Sequence, residues 1–306
     1  MANLEHAAAV TRMQTYIEEN LEEEITLHAL AQQAGYSPWH CAKMFKEYTN
    51  KSPFEYIRKL RLSKAALVLR DEQLRVIDVA LDFVFDSHEG FTRAFRKQFG
   101  VTPKSYQKKT PPIPLFTPYP VESYYLMGEV PADLPPLSKN LHVRLIDFPA
   151  RKLILLRGKR AETYIDYAKE VGCDVWGVLA SIKEALYEPV GLWLPENLRP
   201  SGTSMYAQGV EVPADYQGIV PEGFEMIDLP ACTMLLFQGD PYDEARFAEA
   251  INLVMEQIDQ YDPSLNNCQW AEKDVPRIQL DPQGYRGYIE ARPVTFNEEP
   301  TLANFV

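Results

Sequence analysis

Two stretches of this chain, residues 25–56 and 74–106, are versions of one unit, and that internal repeat restricts the fold more than any single residue does. Shifted by 49, Ala31, Tyr36 and Ser37 fall on Ala80, Phe85 and Asp86. Shifted by 50, after a one-residue insertion, Phe45-Lys46, Ser52-Pro53 and Tyr56 fall on Phe95-Arg96, Thr102-Pro103 and Tyr106. A repeat at that period is one supersecondary unit used twice. Each copy reads as a short helix, a tight turn and a second helix whose apolar side faces the first. That is the geometry that lays a second helix into the DNA major groove.

Helix phase separates residues that pack from residues that read. In the first copy Ser37 suits an N-cap and Pro38 the first helical position. Cys41, Met44, Phe45 and Tyr48 recur at helical spacing and are expected inside, which leaves Trp39, Ala42, Lys43 and Lys46 on the opposite face. Lys43 reaches a guanine edge or a phosphate, and Trp39 offers apolar contact to a thymine methyl or a sugar. In the second copy Phe91, Ala94, Phe95 and Phe99 are expected inside, exposing His88, Glu89, Thr92, Arg93 and Arg96. The planar fork of Arg93 matches the O6/N7 edge of guanine. Asp86-x-x-Glu89 has the spacing of a capping box, so Glu89 is assigned to the cap ahead of any contact with DNA.

The stretch from Val79 to Pro103, VALDFVFDSHEGFTRAFRKQFGVTP, resembles the signature segment of the AraC/XylS family of bacterial transcription regulators. The resemblance spans about residues 7–109 and implies a DNA-binding domain with two helix-turn-helix units. One position departs from it. Val84 stands where the family usually has Gly, while the first copy keeps Gly35 at the equivalent turn. A β-branched residue suits a positive φ poorly, so the second turn is either strained or built on a different backbone.

A net charge of −12 looks unsuited to a polyanion, but it is unevenly divided. Residues 1–110 carry 16 Lys and Arg against 14 Asp and Glu, or +2; residues 111–306 carry 15 against 29, or −14. Residues 36–110 alone hold 15 basic and 8 acidic groups, or +7. Phosphate attraction acts within a Debye length of roughly 10 Å at 0.1 M salt, so the acidic second half does not prevent binding to double-stranded DNA. At 306 residues there is room for two cores. No apolar run approaches ~18 residues and no secretory signal is read, so no membrane partner is expected. Cys41, Cys173, Cys232 and Cys268 form no CxxC, as expected of reduced thiols in a cytoplasmic protein with neither disulfide nor metal site.

Eight prolines between Pro111 and Pro136 mark a connector, residues 111–138, between a domain at 1–110 and another at 139–306. Leu115, Phe116, Tyr119, Tyr124 and Tyr125 make it too apolar for a free linker. The second domain carries its own repeat: residues 146–158 return 81 residues later as 227–239, with six identities in thirteen positions. Each copy ends in an apolar strand, followed by a helix, about 174–187 and 242–260, and then by two strands, near 190–194 and 203–212, and near 276–280 and 285–294. The first helix is expected to bury one face of Val175, Val178, Leu179, Ile182 and Leu186. The expected fold is therefore an all-α double helix-turn-helix domain, then an α+β domain made of a duplicated β-α-β-β unit with two helices on an antiparallel sheet.

That doubled unit, with its Phe148-Pro149-Ala150 opening and closing strand from Gly287 to Val294, resembles the GyrI-like small-molecule-binding domain over roughly residues 139–296. The resemblance implies a cleft between the halves that takes amphipathic, often cationic, effectors on aromatic walls and a buried acid, with Glu290 at the acid's place. The residues themselves leave two readings open. Trp176, Trp193, Tyr206, Tyr285 and Tyr288 either line a pocket or pack a core. Glu290, on the same strand face as Tyr288, either holds a ligand cation or pairs with Arg286 or Arg292. No residue set suggests a catalytic centre, a metal site or a cofactor. Two rival functions remain: hydrolysis of reactive electrophiles with Glu290 as general base, and a second domain that contacts proteins such as RNA polymerase.

Overall fold

The computed structural model describes residues 2–119, 121, 137–172 and 174–297. Tyr124, Tyr125 and Cys173, named above, lie outside the described residues. The chain divides into two compact units, one carrying the first seven helices and the other every strand.

The helical unit opens with α1 (Ala2–Glu19). The first helix-turn-helix follows, α2 (Leu27–Ala34) and α3 (Pro38–Thr49), then a long helix α4 (Pro53–Asp71). The second comprises α5 (Val76–Asp82) and α6 (His88–Phe99), and α7 (Pro103–Lys109) closes the unit. Local chemistry sets most of the helix starts. Thr26, Ser37, Ser52, Ser87 and Thr102 each accept a hydrogen bond from the backbone N–H three residues on, and Pro38, Pro53 and Pro103 take the first helical position where no donor is needed. One apolar core joins the elements, with Met13, Ile17, Leu30, Phe45, Leu60, Leu69, Phe91, Phe95 and Tyr106 all buried. The start of the connector is packed rather than free. Ile113 and Leu115 are buried, Phe116 meets the Tyr56 ring edge-on at 5.0 Å, and buried Gln14 holds the Tyr119 carbonyl and the Val121 N–H at 3.0 Å each.

The sheet unit is a single antiparallel sheet of nine strands. In chain order these are β1 (Leu141–Phe148), β2 (Arg151–Arg157), β3 (Val190–Trp193), β4 (Tyr206–Pro213), β5 (Glu225–Leu229), β6 (Cys232–Gly239), β7 (Cys268–Trp270), β8 (Arg277–Leu280) and β9 (Ile289–Phe296). They lie in the order β1-β6-β9-β8-β3-β4-β2-β5, with β7 on β9. Laid flat, β1 and β2 would stand six strand spacings apart, roughly 29 Å at ~4.8 Å each. Pro149 and Ala150 alone join Phe148 to Arg151, a reach of about 11 Å. The sheet must therefore roll. Its inner face buries Leu153, Leu155, Val190, Leu192, Met234, Ile278 and Ala291. Against the outer face lie α8 (Tyr164–Glu170), whose Tyr167 ring is 5.5 Å from that of Tyr206, and α10 (Phe247–Asp259), whose Val254 and Ile258 pack with Phe237 and Tyr288.

Three elements differ from the sequence expectation. A helix expected at 174–187 ends early, as α9 (Asp174–Ala180), and Leu186 is exposed instead of buried. The Leu186 N–H, which a longer helix would have paired within itself, goes to the Glu211 carbonyl at 2.8 Å. A strand precedes each apolar one, β1 before β2 and β5 before β6, giving β-β-α-β-β where β-α-β-β was expected. The last strand begins at Ile289, not 285, because residues 283–287 form a turn. Gly287 closes that turn at φ 77°, with the Gly239 carbonyl oxygen 2.1 Å from where a side chain would begin.

Candidate functional site

On the helical unit, α3 and α6 each present one face to solvent. Cys41, Met44 and Phe45 point into the core with Tyr48 packed beside them, while Trp39 is 73 % exposed and Lys43 and Lys46 are exposed with it. The Lys43 ammonium lies 5.7 Å from the Trp39 ring centroid, one helical turn away, so the two form a paired surface. On α6, Phe91, Phe95 and Phe99 are buried, and His88, Glu89, Arg93 and Arg96 are exposed.

Two residues of α6 sit differently from expectation. Thr92, expected on the reading face, is half-buried, and its hydroxyl oxygen is turned inward without a hydrogen-bond partner among the described residues. The capping box is not formed either. Ser87, not Asp86, is the N-cap, accepting from the Gly90 N–H at 3.1 Å. The one-residue insertion between the copies is therefore Asp86, and Ser87 is the counterpart of Ser37. Glu89 then occupies the place that Trp39 holds on α3, exposed and free of the cap. Sequence reasoning missed it as a reading residue, although the shift of 50 that aligns the helices carried the signal. A carboxylate there accepts from cytosine N4.

The turn before α6 keeps the backbone of its counterpart. Val84 sits at φ 60° and Gly35 at φ 76°. The Phe85 N–H bonds the Ala80 carbonyl at 2.9 Å, as the Tyr36 N–H bonds that of Ala31 at 3.3 Å. Of the two alternatives, the turn is strained and not rebuilt.

On the outer face of the sheet, register places Gln208, Gly191, Gln279 and Glu290 side by side across β4, β3, β8 and β9. One step along, Tyr206, Trp193 and Arg277 form a parallel row. On this face α8 packs over β4 and α10 over β6 and β9, with β3 and β8 between them in strand order, and Gly191, Tyr206, Gln208, Gln279 and Glu290 are buried. Glu290 is fully buried. Its carboxylate receives Tyr288 Oη at 2.7 Å, Arg292 Nε at 2.6 Å and Arg277 Nη2 at 2.7 Å, and Arg292 also pairs with Asp259. Burial, reinforced by the Glu290 charge, drives the Tyr288 phenol well above its usual value, so it remains a neutral donor. The Arg277 guanidinium lies 4.2 Å from the Trp193 ring centroid. Trp193 itself meets the Tyr206 ring edge-on at 5.2 Å.

The structure therefore brings Trp193, Tyr206, Tyr288 and Glu290 into one neighbourhood. Trp176 is half-buried on α9, apart from the strands. Tyr285 is a correction: it stands 76 % exposed on the turn before β9 and lines nothing with Glu290. Of the two readings of Glu290, the pairing with Arg292 is present, and a second guanidinium, that of Arg277, occupies the carboxylate beside it. Arg286 pairs with Glu188 instead. Arg277, which holds the cation position, was not foreseen, because its pairing depends on the β3–β8–β9 register.

The chain matches the helix-turn-helix domain family over residues 30–109. It is 39 % identical over 107 residues to the transcriptional regulator Rob of Salmonella typhimurium, covering 35 % of this chain and 37 % of that protein. It is 37 % identical over 103 residues to the transposon Tn10 TetD protein of Escherichia coli, covering 34 % of this chain and 75 % of that one. It is 31 % identical over 106 residues to the regulatory protein SoxS of Escherichia coli strain K12, covering 35 % of this chain and 99 % of that one. The match thus spans little more than a third of the length of Rob and nearly all of SoxS. Two tandem helix-turn-helix units with solvent-facing second helices define a class of DNA-binding domain. The chain belongs to the AraC/XylS family of transcription regulators.

Proposed function

We propose that this protein is a sequence-specific transcription regulator that reads two successive major-groove segments of double-stranded DNA with α3 and α6, and whose sheet unit binds a small effector. One observation carries the DNA reading: equivalent helices expose different side chains, Trp39, Lys43 and Lys46 on α3 against Glu89, Arg93 and Arg96 on α6. Lys46 and Arg96, one turn along from the base readers, suit phosphates. Selection of bound sequences from a random pool, followed by footprinting, should return one asymmetric site covered by one chain. A short palindrome that needs two chains overturns this reading.

The sheet unit is read as a GyrI-like domain in which one unit is used twice, and its register supports that reading. Phe148 pairs with Cys232 and Arg151 with Leu229, and a shift of 81 turns one pair into the other. Leu156 pairs with Gln208 as Phe237, 81 residues on, pairs with Glu290. Tyr206 and Gln208 thus hold on β4 the places that Tyr288 and Glu290 hold on β9. The face of β3 and β8 around Trp193 and Arg277 is the proposed effector site, and we read the domain as a binder and not an enzyme, because the Glu290 carboxylate is spent on arginines. A thermal-shift screen of the full chain tests it, since a ligand of the folded state raises the melting temperature, the more so the tighter it binds.

A further inference from the structure

We propose that Ser138, Asn140, His142 and Asp240 form a binding site for one divalent first-row transition-metal cation at the start of the sheet unit. The site shares no residue with the Glu290 cluster and does not depend on the effector reading. Ser138, Asn140 and His142 alternate along the chain as it enters β1, and an extended chain sends alternate side chains to one side. The β1–β6 register pairs Leu141 with Gly239, so the next position outward sets Asn140 against Asp240. All three side chains meet that carboxylate. Asn140 Nδ2 lies 2.8 Å from Oδ2, His142 Nε2 lies 2.9 Å from Oδ1, and the Ser138 hydroxyl donates to Oδ2. The backbone beneath is held by β9: the Gly239 N–H donates to the Tyr288 carbonyl at 3.0 Å.

Two features set this cluster apart from an ordinary surface network. No lysine or arginine among the described residues pairs with Asp240, whose side chain is 26 % exposed and whose one ionisable partner there is His142. A cavity of about 10 Å³, room for a single ion or water, opens beside Ser138 and Asp240 and is bordered by Leu137, Pro241 and Tyr242. The donors select the class of metal. One imidazole nitrogen, one carboxylate and two neutral oxygens suit Zn2+ and its first-row neighbours, whereas Mg2+ and Ca2+ prefer oxygen throughout. Asparagine presents its Oδ1 after an amide flip, and histidine a bare Nε2 in its other tautomer. Ligand atoms on a tetrahedral Zn2+ with ~2.0–2.1 Å bonds stand about 3.3 Å apart, so separations of 2.8 and 2.9 Å need to open by only about half an ångström. Sequence spacing hides the set, because only two of its four donors ionise and they stand 98 residues apart.

Calorimetric titration of the chelator-treated full chain with zinc chloride tests the site. One Zn2+ should bind, and Asp240→Asn and His142→Ala should each weaken it by at least the ~10-fold that loss of even an outer partner of a metal ligand costs. Asn140→Asp adds a charged ligand and should tighten binding by a similar factor. Excess Mg2+ should not displace the metal. The His142 side chain is 66 % exposed, so its replacement spares the fold and keeps the test readable should Asp240→Asn not fold. No binding to the wild type overturns the site and leaves a hydrogen-bonded staple. Binding left unchanged by the alanine and asparagine variants puts the metal on other side chains and overturns it equally. Displacement by Mg2+ overturns the transition-metal class.

Discussion

Lys43 and Arg93 hold equivalent places on two helices, but their chemistry differs, and single substitutions should expose the difference. Lys43→Ala and Arg93→Ala should each weaken operator binding by about 1–3 kcal/mol and relax base preference at separate positions. Affinities measured on operators mutated base by base would check this, and equal losses on operator and random DNA would demote both to phosphate contacts. Glu89 adds a discriminator that the capping-box reading had hidden. Removing it should relax a preference for cytosine at one position without weakening non-specific binding. Val84 is legible at this scale as well. The sequence shows a β-branched residue where its partner copy has glycine, and the structure shows that valine at φ 60°. A strained non-glycine φ costs on the order of 1–3 kcal/mol, against somewhat under 1 kcal/mol for the added unfolded-state freedom of glycine. Val84 is 36 % exposed, so little packing is lost. Val84→Gly should therefore raise the melting temperature by a few degrees, and a fall in a thermal melt would mean that valine's contacts outweigh the strain.

Among the elements, α4 and α6 show how local chemistry and packing divide the work. α4 has 19 residues, so it extends roughly 28 Å at ~1.5 Å per residue, comparable to the ~34 Å between successive major-groove faces. It separates two reading helices that share one core, which suits a site one turn long read by a single chain. α6 begins at Ser87, and its cap is testable apart from its DNA face. Ser87→Ala should cost about 1 kcal/mol of stability, within the ~0.5–2 usual for a lost N-cap, while Asp86→Ala should be close to neutral. Urea melts of both variants check the pair, and the reverse ranking would restore Asp86 as the cap. Serine and aspartate both cap well, so periodicity could not choose between neighbours. Only the position of the first helical turn against the Phe91 side of the core decided it.

Across the whole molecule, Glu290 links the sheet to stability before any ligand is considered. Glu290→Gln keeps the shape but leaves Arg277 and Arg292 facing a neutral amide inside the fold. Breaking a buried pair in this way costs roughly 3 kcal/mol, part of which Arg277 recovers by turning to solvent. The variant should melt well below wild type, and an unchanged melt would mean that the arginines are solvated in solution. The tandem helix-turn-helix order, the apolar and polar faces of α3 and α6, and the strands β2, β3, β4, β6 and β8 were legible in the sequence. Periodicity, caps and turns act over a few residues, and the chain carries them locally. What joins distant residues was not legible. The rolling of the sheet depends on β1 and β2 being joined by two residues while lying far apart in strand order. The Leu186 amide, expected inside a helix, goes instead to the Glu211 carbonyl of β4. The neutralisation of Glu290 depends on β8 lying beside β9, which puts Arg277, 13 residues earlier in the chain, against its carboxylate. A side chain's charge is written in the sequence, but whether that charge meets water, a ligand or another residue is set by strand register, and register exists only once the sheet has formed.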